Sequence, residues 1–301
     1  MFVLSGTFQL LLIVTRYMDI ERLVSEVYRT LLAREPDTGG LEYWSGKIAE
    51  GLSIPAFRQA VLGSPEHALV RNDGRVTPDA PFIALHHSRM AMVRQLPKAA
   101  RILDLGGGAI GDPRGALIAM GYSHPFEALH IIEPPPQARH EIYKDIPDIA
   151  QVVSTEFGQV TYHYGSMADL SRFEDGYFDL VFSGETIEHV SVDDCKKTLR
   201  EVRRVLAANG TFCFDTPNRD LTKIYLPESY LNPEHKIEYT HKEMAALLAE
   251  AFLHCTDVLG ITHMPETHET KTFLLSEMLQ NVGLHPDYER SFLLYYRCIR
   301  G

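Results

Sequence analysis

Glu185, Glu188 and His189 stand at E-x-x-E-H spacing directly after an apolar run, Phe178–Ser183. On a helical turn, positions three and four apart share a face, so all three side chains can converge on one point. Two carboxylates and an imidazole suit a hard or borderline divalent cation. Left unpaired, the carboxylates would repel, and a cation relieves that repulsion. A ligand set with open positions can chelate two adjacent oxygens, orient a hydroxyl and lower its pKa. A further histidine, His235, follows in His235-Lys236-Ile237-Glu238-Tyr239-Thr240, downstream of Thr216-Pro217-Asn218. The plainer alternative is that Glu188 and His189 only cap and orient the next helix.

A second constellation lies upstream, where Arg101–Leu105 reads as a short buried strand running into Gly106-Gly107-Gly108. In open α/β folds, ligands bind at the carboxyl edge of the sheet, where such a turn sits. Missing side chains let backbone N–H groups approach the ligand closely. The spacing is not G-x-G-x-x-G, and Asp112-Pro113 follows, so a dinucleotide pyrophosphate fits poorly. An acid, Glu133, ends the next strand, Ala128–Ile132. A carboxylate there can hold both hydroxyls of a ribose.

Positioning these groups requires an alternating scaffold. Val160–Tyr164, Phe178–Ser183 and Thr211–Asp215 read as further strands, and 192–206 and 242–251 as helices. His254–Ile261 and Phe292–Ile299 read as a closing pair of strands around an insertion, 262–288. This alternation predicts an α/β parallel sheet.

The turn, the acid and the Phe178-Asp179-Leu180-Val181 strand together resemble the class I S-adenosylmethionine-dependent methyltransferases, over about residues 82–301. The resemblance implies a Rossmann-like sheet. It places Asp104, Gly106, Gly107, Gly108 and Ser183 on the methionine and ribose side, and Glu133 on the ribose hydroxyls. Ser166-Met167 would flank the adenine, although Ser166 stands where relatives commonly carry Asp. E-x-x-E-H, T-P-N and H-K-x-E-Y-T together resemble the metal-dependent O-methyltransferases of the Hen1 type, which act on small-RNA 3′ ends. Ubiquinone-pathway catechol O-methyltransferases resemble the E-x-x-E-H part. Tyr239 replaces the usual Trp, and His241 stands where Arg is common. The resemblance implies a metal site of Glu185, Glu188, His189 and His235, holding Mg, Mn or Fe. His189, His235 and His241 are then the candidate catalytic histidines, with His241, His263 or His268 free to take the proton. His263, Glu266 and His268 are read as part of a polar lid over the acceptor, and His86-His87, ahead of the cofactor strand, as a solvated helix face, with contact to the pocket as the alternative.

Residues 19–70 read as helices: Ile20, Leu23, Val24, Val27, Tyr28, Leu31 and Leu32 recur at helical spacing, and 41–48 and 54–62 follow, the latter capped by Ser53. Tyr28, Leu32, Arg34, Pro36-Asp37, Gly40, Trp44, Gly51, Ser53 and Ser64-Pro65-Glu66 resemble a small bacterial helical domain of unknown function related to phycobilisome linker domains. Asn72–Pro81, polar with two prolines, reads as the linker. The division is thus 1–80, a helical accessory domain and linker, and 81–301, the methyltransferase domain. The first part is expected to pack or oligomerise, with Trp44 as a core anchor. Phe8–Val14 is too short to span a bilayer, no Lys or Arg precedes it, and Met18 is an alternative start.

The chain has 301 residues, 29 Lys and Arg against 40 Asp and Glu, and a net charge of −11. It lacks the basic footprint of a general nucleic-acid binder. Four scattered cysteines without a C-x-x-C pair fit a reducing, cytoplasmic setting. These readings converge on an S-adenosylmethionine-dependent, metal-assisted O-methyltransferase acting on a small-molecule or glycan acceptor with vicinal oxygens, such as a sugar or polyol. No membrane partner is expected. The alternatives are a small-RNA 3′-terminal 2′-O-methyltransferase, a metal-independent small-molecule methyltransferase, and a non-catalytic S-adenosylmethionine-binding scaffold.

Overall fold

The computed structural model describes residues 20–64, 66–67, 80–139 and 152–301. Phe8–Val14, Met18 and nearly all of the stretch read as a linker lie outside the described residues.

The described residues begin with three helices: α1 (Ile20–Leu32), α2 (Thr38–Ala49) and α3 (Ile54–Leu62). Asp37 caps α2 by accepting from Gly40 N, and Ser53 caps α3 by accepting from Ala56 N, with Pro55 in the first turn. Each cap satisfies an N–H that the helix itself leaves without an acceptor. Trp44 is half-buried; its ring lies 4.9 Å from that of Phe57, and its indole N–H donates to Tyr28 Oη at 3.1 Å.

Helix α4 (Ala80–Val93) then leads into β1 (Arg101–Leu105). The chain continues through α5 (Ala116–Ala119), β2 (Ala128–Glu133), β3 (Val152–Ser154), β4 (Gln159–Tyr164) and β5 (Phe178–Gly184). Next come α6 (Val192–Val205), β6 (Leu206–Pro217), α7 (Arg219–Tyr225), α8 (His241–Glu250) and β7 (Leu253–His263). The insertion supplies α9 (Pro265–Thr270), α10 (Leu275–Gln280) and β8 (Leu284–His285), and β9 (Ser291–Arg300) closes the chain.

Among the described residues, nine strands form one sheet in the order β3-β4-β2-β1-β5-β6-β9-β7-β8. From β4 to β6 the pairings are parallel, and β9 enters antiparallel between β6 and β7. The strand order reverses across β1 and β5, so the carboxyl ends of these strands flank a crevice. β6 is longer than its apolar run, because Leu206 pairs with Phe178 across a register shift. One sheet face packs on α6 and α8 through Leu199, Val202, Met244 and Leu248.

The other face shares its hydrophobic core with the N-terminal helices: Leu23, Val27, Leu31 and Phe57 belong to the same cluster as Met92, Ile102 and Leu129. Helix α4 mediates this contact. His87 is 0% exposed and His86 5% exposed, so the expected solvated helix face is a buried one. The correction has a physical cause. Arg58 of α3 donates from Nη1 to His87 Nδ1 at 2.9 Å and from Nη2 to the Leu279 carbonyl at 2.8 Å. On the other side His87 Nε2 faces Glu26 Oε2 at 3.5 Å. His87, hydrophilic in sequence, is thus covered by α1 and α3, while His86 turns to the cavity described below. Burial pushes His87 down to about 4 and His86 down to about 3, so both imidazoles are neutral at pH 7.

Candidate active site

A cavity of about 550 Å³ opens at the carboxyl edge of β1, β2 and β5. Its floor is the glycine turn. Gly106 has φ +76°, a left-handed conformation, and a Cβ there would strike Thr186. A Cβ on Gly107 would strike the Asp104 carboxylate. The turn is therefore glycine for close approach as well as for backbone freedom. Gly108 N donates to Glu133 Oε1 at 2.6 Å, which brings the turn and the acid together.

Asp104 and Glu133 are 1% and 4% exposed. Burial, and then the neighbouring Glu133, push Asp104 up to about 8; burial also raises Glu133. Asp104 Oδ2 has no hydrogen-bond partner. Two carboxylates held above their ordinary range favour a cationic, hydrogen-bonding occupant. Ser166 and Met167 line the cavity on the side of β4. Ser183 does not: it is buried with its hydroxyl unpartnered, and its neighbours Phe182 and Gly184 line the cavity instead. Alternation along β5 turns Ser183 to the opposite face.

The carboxylate–histidine cluster lies on the loop after β5. Glu185 adopts φ +46°, and only Ile187–His189 form a single 3₁₀ turn. The predicted helical turn is thus broken before it begins, and Glu185 stands outside the tightest group, although it lines the same cavity and its charge acts on Glu188 and His235. Its Oε2 lies 3.3 Å from Arg89 Nη1. The structure does bring together Glu188, His189 and His235: one ligand atom from each lies within 4.8 Å of the others. Glu188 is 0% exposed; Oε2 accepts from Thr216 Oγ1 at 2.9 Å, while Oε1 accepts no hydrogen bond and lies 3.9 Å from His235 Nε2. Burial raises its carboxyl. Burial pushes His189 down to about 3, so it is a neutral imidazole with a lone pair to offer. Burial also pulls His235 down, but the Glu238 carboxylate, 2.8 Å from Nδ1, carries it above its ordinary value. A carboxylate on the far nitrogen orients an imidazole and raises its basicity toward a metal. Glu238 is itself fixed, accepting from Leu231 N at 2.6 Å and from Thr222 Oγ1. The H-K-x-E spacing exists for this pairing: His235 faces the cavity and Glu238 braces it from behind.

His241 sits away from this group. Its Nδ1 lies 3.1 Å from Tyr296 Oη, its ring packs against Tyr288, and it does not line the cavity. His263, Glu266 and His268 do not converge either. His263 Nε2 meets Asp287 Oδ2 at 3.2 Å, and no residue of 262–288 lines the cavity. The insertion is not a lid; α10 packs instead against α4 and α3, where Arg58 holds it.

The α4 wall of the cavity is Phe82, Leu85, His86 and Arg89; sequence reasoning offered His86 as a pocket contact but missed the other three. Arg89 is buried, and its Nε donates to Asp215 Oδ2 at 2.6 Å. Burial opposes its charge, but Asp215 and Glu185 raise its pKa above the usual arginine value. One signal was available. Arg89 is the only Asp, Glu, Lys or Arg in a 14-residue helix of apolar and neutral residues. A lone charge at such a place is paired or functional.

Comparison with known proteins agrees with this architecture. Residues 137–214 match the family described as Methyltransferase domain, and residues 2–68 match Domain of unknown function (DUF4214). The chain is 30% identical over 129 residues to a sarcosine/dimethylglycine N-methyltransferase of Halorhodospira halochloris, covering 42% of this chain and 41% of that protein. The chain thus spans about two fifths of that relative's length. It is 28% identical over 201 residues to a ubiquinone biosynthesis O-methyltransferase of Xanthomonas axonopodis pv. citri (strain 306), covering 62% of this chain and 77% of that protein. A solved SAM-dependent methyltransferase from Thermotoga maritima superposes with a TM-score of 0.50 at 17% identity, over 74% of this chain and 91% of that one. The fold is the Rossmann-like class I methyltransferase fold with a helical N-terminal region. No helix among the described residues is long and apolar enough to cross a membrane.

Proposed function

We propose that the chain is an S-adenosylmethionine-dependent O-methyltransferase, assisted by a divalent cation, whose acceptor presents vicinal oxygens as a sugar or polyol does. The observation that carries the reading is the Glu188–His189–His235 cluster beside the glycine turn. Asp104, the Gly106–Gly108 turn and Glu133 would hold the methionine and ribose parts of the cofactor. Ser166 and Met167 would flank its base, while Arg89 stands on the opposite side, against Glu185 and Asp215. The cofactor supplies an activated methyl on a sulfonium. The cation, when bound, supplies Lewis acidity that lowers the pKa of a hydroxyl.

The donor set fits a cation. The buried Glu188 Oε1 accepts no hydrogen bond and lies 3.9 Å from His235 Nε2, His189 is neutral, and His235 is braced by Glu238. Three protein donors leave open positions, which suits two oxygens of one acceptor. The protein's own part is alignment. The cluster and the turn share one cavity, so a hydroxyl held at His189 and His235 would face the cofactor. A ubiquinone biosynthesis O-methyltransferase among the relatives supports oxygen as the methylated atom. A second reading, metal-independent transfer, draws on the Thr216 bond to Glu188, which lets that carboxylate act as an internal brace, and on the N-methyltransferase relative.

Calorimetry with S-adenosylhomocysteine tests both, with and without Mg²⁺, Mn²⁺ or Fe²⁺, on the wild type and Glu188→Ala. Absence of cofactor binding overturns the methyltransferase reading. Cofactor binding with no metal binding by the wild type overturns the metal role and leaves the second reading.

A further inference from the structure

Cys255 on β7 and Cys298 on β9 are 43 residues apart in sequence and face each other across an antiparallel ladder. Their sulfurs are 3.1 Å apart. Directly opposed residues in such a ladder have Cα atoms about 4.5–5.5 Å apart, within the range a disulfide needs. A small rotation of the two side chains would therefore join the sulfurs without moving the strands. The two thiols differ in access: Cys298 is 0% exposed, while Cys255 is half-buried beside a register shift between Cys255 and Asp257. The other two cysteines, Cys195 and Cys213, are fully buried.

We propose that Cys255 and Cys298 form a modification site, a dithiol that a small-molecule disulfide converts to one intramolecular disulfide. Cys255, the accessible member, attacks as thiolate on one sulfur of the small disulfide and expels its other half as thiolate. Cys298 then attacks the Cys255 sulfur of the mixed disulfide and expels the second half. Two protein thiols are oxidised, the small disulfide is reduced to two thiols, and the two protons released by the cysteines end on those thiols. Cys298 is the resolving thiol because it already touches Cys255 and is shielded from outside attack. The product ties β7 to β9 and leaves the cavity residues unmodified.

The test uses the full chain, first reduced and freed of reductant, then incubated with oxidised glutathione. Thiols titrated in denaturant should fall from the four of the sequence to two. Proteolysis should yield one linked pair of peptides carrying Cys255 and Cys298. Closing a loop of this length should raise the thermal midpoint by several degrees, and dithiothreitol should reverse all three changes. Cys298→Ser should stop at a glutathione adduct on Cys255, and Cys255→Ser should keep all its thiols. Four thiols remaining in the wild type would overturn the proposal. So would a wild type that stops at the glutathione adduct, or a linked peptide pair that joins other cysteines.

Discussion

Replacing Arg58 with methionine removes a guanidinium that is 1% exposed and leaves two acceptors, His87 Nδ1 and the Leu279 carbonyl, buried without donors. Each unmade bond costs about 1–3 kcal/mol. Methionine approaches the volume of the lost side chain, so the cavity cost is small. Some stability is regained, because the desolvation that pushes Arg58 down to about 10 disappears, as does its unpartnered Nε. The balance is a loss of about 3–4 kcal/mol, in line with removing one member of a buried charged network. Adding His87→Leu to Arg58→Met removes one stranded acceptor but also withdraws His87 from Glu26 Oε2, and a double-mutant cycle isolates the coupling between positions 58 and 87. The assay is denaturant unfolding followed by two probes. Trp44, the one tryptophan in the chain, reports on the N-terminal helices, and far-ultraviolet circular dichroism reports on the whole. Because the helices and the sheet share one core, both probes should give the same midpoint in the wild type. Two results would refute the reasoning: an Arg58→Met midpoint within about 0.5 kcal/mol of wild type, or a Trp44 transition that precedes the dichroism change in the unmodified chain.

Further outcomes follow from the cavity and from α4. Glu133→Ala should weaken S-adenosylhomocysteine binding by about 1–3 kcal/mol, the worth of hydrogen bonds to a charged group; unchanged affinity by calorimetry would remove Glu133 from the ribose. Glu238→Gln keeps the shape but withdraws the charge behind His235, and should lower Mn²⁺ affinity about 10- to 100-fold; equal affinity would mean His235 is not a ligand. Gly107→Ala should abolish cofactor binding while leaving the dichroism spectrum native, because the added methyl meets the Asp104 carboxylate. The pH dependence has a definite sign. His86 and His87 are held by burial at about 3 and about 4, below the ordinary 6.5. Between those values the unfolded chain binds more protons than the folded one, so stability is full at neutral pH and falls as pH drops below about 6.5. The slope should approach about 1.4 kcal/mol per pH unit for each histidine. Urea midpoints that stay flat from pH 7 to pH 5 would show that both histidines are solvated.

Much of this was legible along the chain, because it depends on near neighbours. The glycine turn follows from one strand end, and Ser53 caps its helix with a side chain that reaches only a few residues. The pairing of Glu188 with His189 is adjacent by construction, and H-K-x-E puts His235 and Glu238 three apart. Glu185 shows the limit of such reading. Its spacing suits a helix, but a left-handed φ and a buried arginine from another helix pull it elsewhere. Ser183 and His241 were misplaced for a related reason. Which face of a strand or helix meets a cavity depends on what packs against the opposite face.

The sequence by itself determined the alternating scaffold, the glycine turn with its ribose-type acid, and the carboxylate–histidine spacing, since periodicity and short-range hydrogen bonds are written in consecutive residues. Tertiary structure alone decided which of these groups meet. Arg89 reaches Asp215 across 126 positions, and Arg58 reaches the Leu279 carbonyl across 221. Such contacts bury charges whose desolvation is tolerated only where a partner from a distant segment is already in place. That is why a helix of ordinary composition becomes the wall of the cavity, and why the N-terminal helices, separate in sequence, share its core.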